Sequence, residues 1–579
     1  MNISDRARLL MARALALGLA LLVVCGHASA ASGPRFELSF PAGTHAGPIT
    51  GRVFVFVSRS ATPEPRLQAG AWWGAAPFFG ADVQALRPGQ TAVIDAGTLG
   101  YPVTSLAKLP PGNYYVQGLV NIYTEFRRSD GHTIWAHMDQ WEGQKSDRSP
   151  GNLYSAVQLV HIDPAGGVTI RLSLNQVIPP VEVPADTVWV KHIKIESPVL
   201  TRFWGHPMYL GATVLLPAGY AQHPGLNYPV LYDQTHFTLA PPFGFTTDSA
   251  DQSKARDRQL ASILGVKSLS VLGMESGYRF YKSWSGKHFP RMIVVIFQHP
   301  TPYYDDSYAV NSVNNGPYGD AITQELIPYI ETHFRIIREP YARVLTGGST
   351  GGWESLDLQV KYPKLFGGTW TFYPDPLDFH HFQMIDLYDD PNAFAAPFGG
   401  EWQQVERYMM RQPDGQPLVT VREMSQYERV LGSDGRSGGQ FDIFFATFGP
   451  IGADGYPVPL WNARTGVIDR SAVEYARDHG YDITAYLRQN WSRIGPELTG
   501  KIHVYVGDMD TFYLNLGVYD LQAFMQATVG PHYSGTFVYG RPEKPHGWNG
   551  GMTNAQLIET IAAAIARDAP PGAPSGWRQ

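Results

Sequence analysis

Cysteine is all but missing. Cys25 is the only one in the chain, so no intramolecular disulfide can form. It also falls inside a leader-like segment, whose removal leaves no thiol for catalysis or metal binding; covalent catalysis then needs an oxygen nucleophile. Long apolar runs are missing too. Ala14–Val24 spans eleven residues, whereas a bilayer crossing takes about twenty, and no later run approaches that length. Charge is sparse, at 17% of residues, and slightly acidic, with a net −6. That balance gives no electrostatic basis for binding nucleic acid.

Apolar matter is ample: 44% of the residues are hydrophobic and 13% aromatic, and 579 residues imply two or three domains. The first thirty residues read as an export signal. Arg6, Arg8 and Arg13 precede the apolar run, and Ala28-Ser29-Ala30 is a small-residue cleavage site. Val24 stands where a lipidated Cys25 would need a small residue. Cleavage after Ala30 removes one Asp and three Arg, which takes the net charge to −8. The expected location is secreted or periplasmic, with no membrane span.

Residues 31–178 are β-like. Phe36–Phe40, Arg52–Val57, Tyr114–Val120 and Val168–Leu172 alternate or run apolar between Gly/Pro turns, the pattern of a sandwich-like all-β domain. Its Trp72, Trp73, Phe78, Phe79, Trp135 and Trp141 are expected to pack rather than to form a glycan-binding face. A proline-rich linker, 179–187, follows, and then the grammar changes. Val188–Glu196, Ala212–Leu216, Tyr228–Tyr232 and Met292–Phe297 read as strands, and Asp320–Phe334 as an amphipathic helix. Apolar strands alternating with helices mean a largely parallel, doubly wound α/β sheet over residues 188–567.

One stretch organises that half. Arg343–Thr346 reads as a buried strand, Gly347-Gly348-Ser349-Thr350-Gly351 spells G-x-S-x-G, and Trp353, Leu356 and Val360 open a helix. A serine in a strand-to-helix turn is strained and crowded, which explains the glycines. The turn exposes the hydroxyl as a nucleophile and puts the N–H of Thr350 at a helix start, where it can hold an oxyanion.

The phrases LPAGY, YPVLY, MIVVIFQHP, ELIPYIETHFR and LTGGSTGGWESLDLQVKYPKLFGG together resemble the putative esterase (esterase D-like) family of the α/β-hydrolase superfamily. That branch includes feruloyl and acetyl-xylan esterases, S-formylglutathione hydrolase and mycolyltransferases. The resemblance implies a triad in the order Ser, acid, His. Lys501–Val506 is a strand followed by Gly507-Asp508-Met509-Asp510; the family's G-x-x-D favours Asp510 as the acid, with Asp508 the alternative. Asp508, Asp510 and Asn515 could also outline a calcium loop, but the glycine and terminal glutamate of an EF-hand are missing. After the strand Thr536–Tyr539, His546 in Pro545-His546-Gly547-Trp548 takes the base position. The family carries His-Gly after the YPVLY strand; here Thr235-His236 stand in its place, which makes the N–H of Phe237 the second oxyanion donor.

Between Ser349 and Asp510 the chain is longer than a βα unit or two requires, so about 375–499 is expected to be a lid-like insertion that shapes the pocket. Its Asp375, Asp378, His380, His381 and Asp386 have no regular ligand spacing, and neither metal nor cofactor is expected. Residues 568–579 read as a flexible tail. The chain is thus expected to be an exported serine esterase acting on small-molecule or glycan-linked esters. The alternatives are an acyltransferase using the same triad with a sugar or alcohol acceptor, and a non-catalytic binding protein on a hydrolase scaffold.

Overall fold

The computed structural model describes residues 33–70, 75–250, 261, 264–268, 272–397 and 402–578. The leader segment with Cys25, and the pair Trp72 and Trp73, lie outside the described residues.

The second half is built on eight strands: β1 (Val190–Glu196), β2 (Tyr209–Leu215), β3 (Val230–Gln234), β4 (Ile293–Gln298), β5 (Arg343–Gly348), β6 (Gly368–Phe372), β7 (Ile502–Gly507) and β8 (Thr536–Gly540). They hydrogen-bond in the order β1-β2-β4-β3-β5-β6-β7-β8. β2 runs antiparallel to both β1 and β4, and every later pairing is parallel. Parallel strands must be covered on both faces, and Val230, Leu231, Tyr232, Ile293, Val294, Val295 and Leu345 are fully buried. β3 lies between β4 and β5, the place where the strand order turns back. Loops leaving the carboxyl ends of β3 and β5 therefore flank one crevice.

Sequence patterning overlooked β6, although Gly-Thr-Trp-Thr-Phe is β-branched and aromatic as strands prefer. The helix expected over Asp320–Phe334 is interrupted. Tyr318–Ala321 is α-helical, Ile322–Leu326 widens into a π turn, and Ile327–His333 resumes. Pro328 explains the widening, since its ring would press on the carbonyl one turn earlier. Helix α1 (Thr350–Lys361) buries not only Trp353, Leu356 and Val360 but also Glu354, Asp357 and Gln359. Helix Ile483–Leu498 of the insertion packs against it, so the polar face meets protein instead of water.

Residues 35–177 form one sheet of three strands and one of eight. Phe36, Leu38, Ile94 and Leu172 from the first meet Val53, Val55, Val57 and Val120 from the second in a common core. Phe78 and Phe79 are fully buried. This region is also welded to the rest. Phe126, Ile134 and Ala136 join the core of the large sheet, and the Arg52 guanidinium donates to the carbonyls of Val430 (2.8 Å) and Arg429 (3.1 Å) in the insertion. Within that insertion lie helices α2 (Val421–Leu431) and α3 (Gln440–Phe448). Tyr427 of α2 packs edge-on against Phe78 and Tyr101. The segment expected to be a flexible tail is instead docked. Trp577 is 1% exposed, and its carbonyl accepts the N–H of Arg291; one large indole supplies enough apolar area to hold an otherwise Pro/Gly-rich end.

Candidate active site

Ser349 sits between the last residue of β5 and the first of α1, with φ 60° and ψ −124°. A non-glycine residue pays for that backbone, and its neighbours make room. A Cβ on Gly351 would lie 1.9 Å from the carbonyl oxygen of Gln234, and one on Gly347 2.1 Å from that of Gly351. The turn is pinned from outside: Ser349 N–H donates to the Phe372 carbonyl (3.1 Å), and its own carbonyl accepts from Trp353 (3.1 Å) and Asp375 (3.2 Å).

His546 lies after β8, and Asp510 in the turn after β7. His546 Nδ1 is 2.9 Å from Asp510 Oδ2. Asp510 is fully buried, and its Oδ1 accepts the N–H groups of Phe512 (2.9 Å) and Leu514 (3.3 Å). The imidazole is further held edge-on by Tyr373 and Phe512. Asp508 is engaged elsewhere: its Oδ1 accepts the N–H of Lys544 (3.0 Å) and braces the loop that carries His546. Asn515 receives Arg411 Nη2 at 2.9 Å, and Arg411 Nε donates to the Asp510 carbonyl, so a guanidinium occupies the place a calcium loop would need.

Ser349 and His546 line one cavity of about 560 Å³. Its walls come from three parts of the chain. The loops after β6 and β7 supply Tyr373 and Phe512, the insertion supplies Met409, Met424, Tyr427, Gln440 and Phe444, and Gly70 comes from the N-terminal region. A wider cleft of about 1280 Å³ adjoins it, carrying Phe237, Gly348, Lys145 and Arg148. Gln234 of β3 pairs with Gly347 of β5, so the loop bearing Phe237 runs beside the serine turn. Neither the N–H of Thr350 nor that of Phe237 has a hydrogen-bond acceptor among the described residues. The Phe237 ring packs edge-on against Trp141 at 5.3 Å, with Gly143 beneath it.

The site rests on buried charge. His236 Nδ1 is 3.1 Å from Asp305 Oδ1 and 3.2 Å from Asp306 Oδ2. Burial opposes the imidazolium, yet the two carboxylates hold its pKa well above the ordinary value. Glu354, in α1 behind the serine, is driven well above the usual carboxylate range by burial and by Asp306. His299, whose Nε2 is 4.0 Å from Glu354, is pushed down to about 4 by burial. Asp233, at the end of β3, is raised to about 7, again by burial.

Among the described residues, two groups of side chains could hold a cation: His236 with Asp305 and Asp306, and the outlying His380 with Asp386 and Asp389. Of the other residues singled out in the insertion, Asp378 Oδ1 accepts the N–H of His380 (3.0 Å) and His381 pairs with Asp520. Asp375 lines the cavity that holds Ser349 and His546. Its Oδ2 accepts Tyr308 OH (2.5 Å) and Thr350 Oγ1 (3.0 Å). Sequence reasoning missed this because it missed β6; a carboxylate just past a strand's carboxyl end was the available signal.

Residues 208–374 match the family model described as "Putative esterase". A stretch of 50 residues is 42% identical to the uncharacterized protein YbbA of Bacillus subtilis (strain 168), covering 9% of this chain and 20% of YbbA, so the match spans a fifth of that relative's length. Among solved structures, a ferulic acid esterase is similar at 16% identity over 65% of this chain and 98% of its own, with a TM-score of 0.32. An S-formylglutathione hydrolase from Agrobacterium tumefaciens is similar at 13% identity over 66% and 98%, also with a TM-score of 0.32. The segment that matches the Putative esterase family model, residues 208 to 374, runs from the start of β2 through the Ser349 turn.

Proposed function

We propose that this chain is an exported serine esterase that hydrolyses carboxylic esters through Ser349, His546 and Asp510. The observation that carries the proposal is the 2.9 Å contact of His546 with buried Asp510, in a histidine that lines the same cavity as the strained Ser349. Asp510 engages Nδ1, which leaves Nε2 as the nitrogen for the serine proton. His546 takes that proton as Ser349 Oγ bonds to the ester carbonyl carbon, and the N–H groups of Thr350 and Phe237 hold the oxyanion. Collapse breaks the bond to the alcohol oxygen, which leaves with the proton from His546. Water then attacks the acyl-enzyme by the same route and restores Ser349. Acyl transfer to a sugar or alcohol would use the same residues, and the adjoining 1280 Å³ cleft offers a second molecule room. In this proposal the N-terminal sheets act as a sandwich-like brace, and the leader segment directs export.

A fluorophosphonate probe with peptide mapping tests the nucleophile. Labelling is expected at Ser349, and Ser349→Ala should lower kcat by roughly 10⁴ to 10⁶. Labelling elsewhere, or esterase activity that survives the substitution, would overturn it.

A further inference from the structure

Asp375 is 6% exposed, lines the cavity that holds Ser349 and His546, and has its backbone tied to the Ser349 carbonyl at 3.2 Å. Tyr308 OH, Thr350 Oγ1 and Gln440 Nε2 (3.4 Å) all converge on Oδ2. Oδ1 has no hydrogen-bond partner among the described residues, and no lysine, arginine or histidine pairs with the carboxylate. Burial pushes the Asp375 carboxyl up, while the Tyr308 and Thr350 hydroxyls and the more distant His546 and His236 favour its ionised form; the donors fix the rotamer without supplying a paired cation. A buried carboxylate left in that state is costly unless a partner arrives.

The rest of the cavity suits one kind of partner. Among the described residues no Lys or Arg lines it, and the His236 imidazolium at its edge is already paired with Asp305 and Asp306, in contrast to the neighbouring cleft with Lys145 and Arg148. Tyr304, Tyr427, Phe444 and Phe512 supply aromatic walls. Aromatic faces around a single carboxylate attract a cation through both the charge and the ring quadrupoles. We propose that Asp375 is a specificity-determining residue that binds an ammonium group of the ester, through the free Oδ1 next to the serine. This rests on the esterase proposal above. The ammonium can belong to the acyl part or to the alcohol part, and the chemistry recognised is the same.

The test compares kcat/KM across matched esters. In the acyl arm, 4-nitrophenyl alkanoates of three to six carbons are set against their ω-ammonio and ω-hydroxy analogues of equal length. In the alcohol arm, butanoate esters of simple alkanols are set against those of amino-alcohols. Wild type should prefer the ammonio member in one arm by about tenfold or more, and Asp375→Asn should shrink that ratio about tenfold. A simple alkylammonium ion should also inhibit wild type more strongly than the alkanol of the same length, which needs no variant. Equal rates for alkyl and ammonio esters, a preference for hydroxy over ammonio esters, or a ratio unchanged in Asp375→Asn would each overturn the assignment. Hydrolysis of no ester in either arm would instead sink the esterase proposal, so the two failures are distinguishable.

Discussion

Asp510→Asn is the substitution that discriminates most sharply between the two carboxylates of the β7 turn. Asp510 Oδ1 accepts the N–H groups of Phe512 and Leu514, so that position must stay an oxygen. The new NH₂ then falls where Oδ2 stood, 2.9 Å from His546 Nδ1. Two donors cannot face each other, so Nδ1 becomes the acceptor and the imidazole proton moves to Nε2. A histidine in that tautomer cannot take the serine proton. The expected loss is about 10⁴ in kcat, or about 5.5 kcal/mol of barrier. Asp508→Asn keeps an acceptor for the Lys544 N–H, and its kcat should stay within about threefold, as for surface changes worth about 0.5 kcal/mol. Steady-state rates on a 4-nitrophenyl ester, with urea unfolding to show both variants folded, decide the matter. A deeper loss in Asp508→Asn, or an Asp510→Asn variant within about tenfold of wild type, would refute the reasoning.

Asp233 gives a pH-dependent expectation. Its carboxyl is raised to about 7 in the folded chain by burial, against about 3.9 when unfolded. The folded state binds the proton more tightly, so this group's contribution to stability falls as pH rises from about 4 to about 7 and is level above. The shift corresponds to about 4 kcal/mol, and partial solvent access reduces it to about 2. Asp233→Asn should therefore raise the urea midpoint at pH 8 more than at pH 5; a parallel pH dependence in the two proteins refutes this. Trp141 is 6% exposed, stacks edge-on against Phe237 and lies 4.2 Å from the Lys194 ammonium. Trp141→Ala should cost about 3–5 kcal/mol of stability and also lower kcat, because Phe237 loses its wall; a folded variant with wild-type kcat would detach the N-terminal region from the oxyanion loop.

Much of this was legible in the sequence because local chemistry and global fold agree there. G-x-S-x-G needs its glycines for reasons of space, and Gly347 and Gly351 do face backbone carbonyls. The order Ser, Asp, His follows strand order, so His546 and Asp510 could be located before any contact was known. The strands of the large sheet were readable wherever they were plain apolar runs. β6 was not, because Thr369 and Thr371 break the apolar run while remaining fully buried. Missing β6 hid the position of Asp375, which then looked like one more acidic residue in a lid. The docked tail was hidden for the opposite reason: Pro and Gly dominate it, and one tryptophan outweighs them.

What composition could not reveal is how far the polar residues of this domain go inward. Glu354 and Asp357 occupy helix positions that look solvent-facing by period, yet the insertion covers them, and both carboxyl oxygens of each lack a hydrogen-bond partner among the described residues. Burial without a counter-ion favours the protonated form, as the raised pKa of Glu354 and of Asp357, the latter at about 6, indicates. A core that tolerates such groups is less stable than an apolar one of the same volume. Those nearest Ser349 differ from those farther along α1. Glu354 meets His299 and the Asp306–His236 pair that ends at the Phe237 loop, while Asp357 has only the distant Lys361 charge to offset it. The first therefore links the helix that follows Ser349 to the loop that carries Phe237. That link also accounts for a histidine at position 236, where the resemblance places glycine: ion pairs to Asp305 and Asp306 on one side and the packing of Phe237 on Trp141 on the other fix the loop.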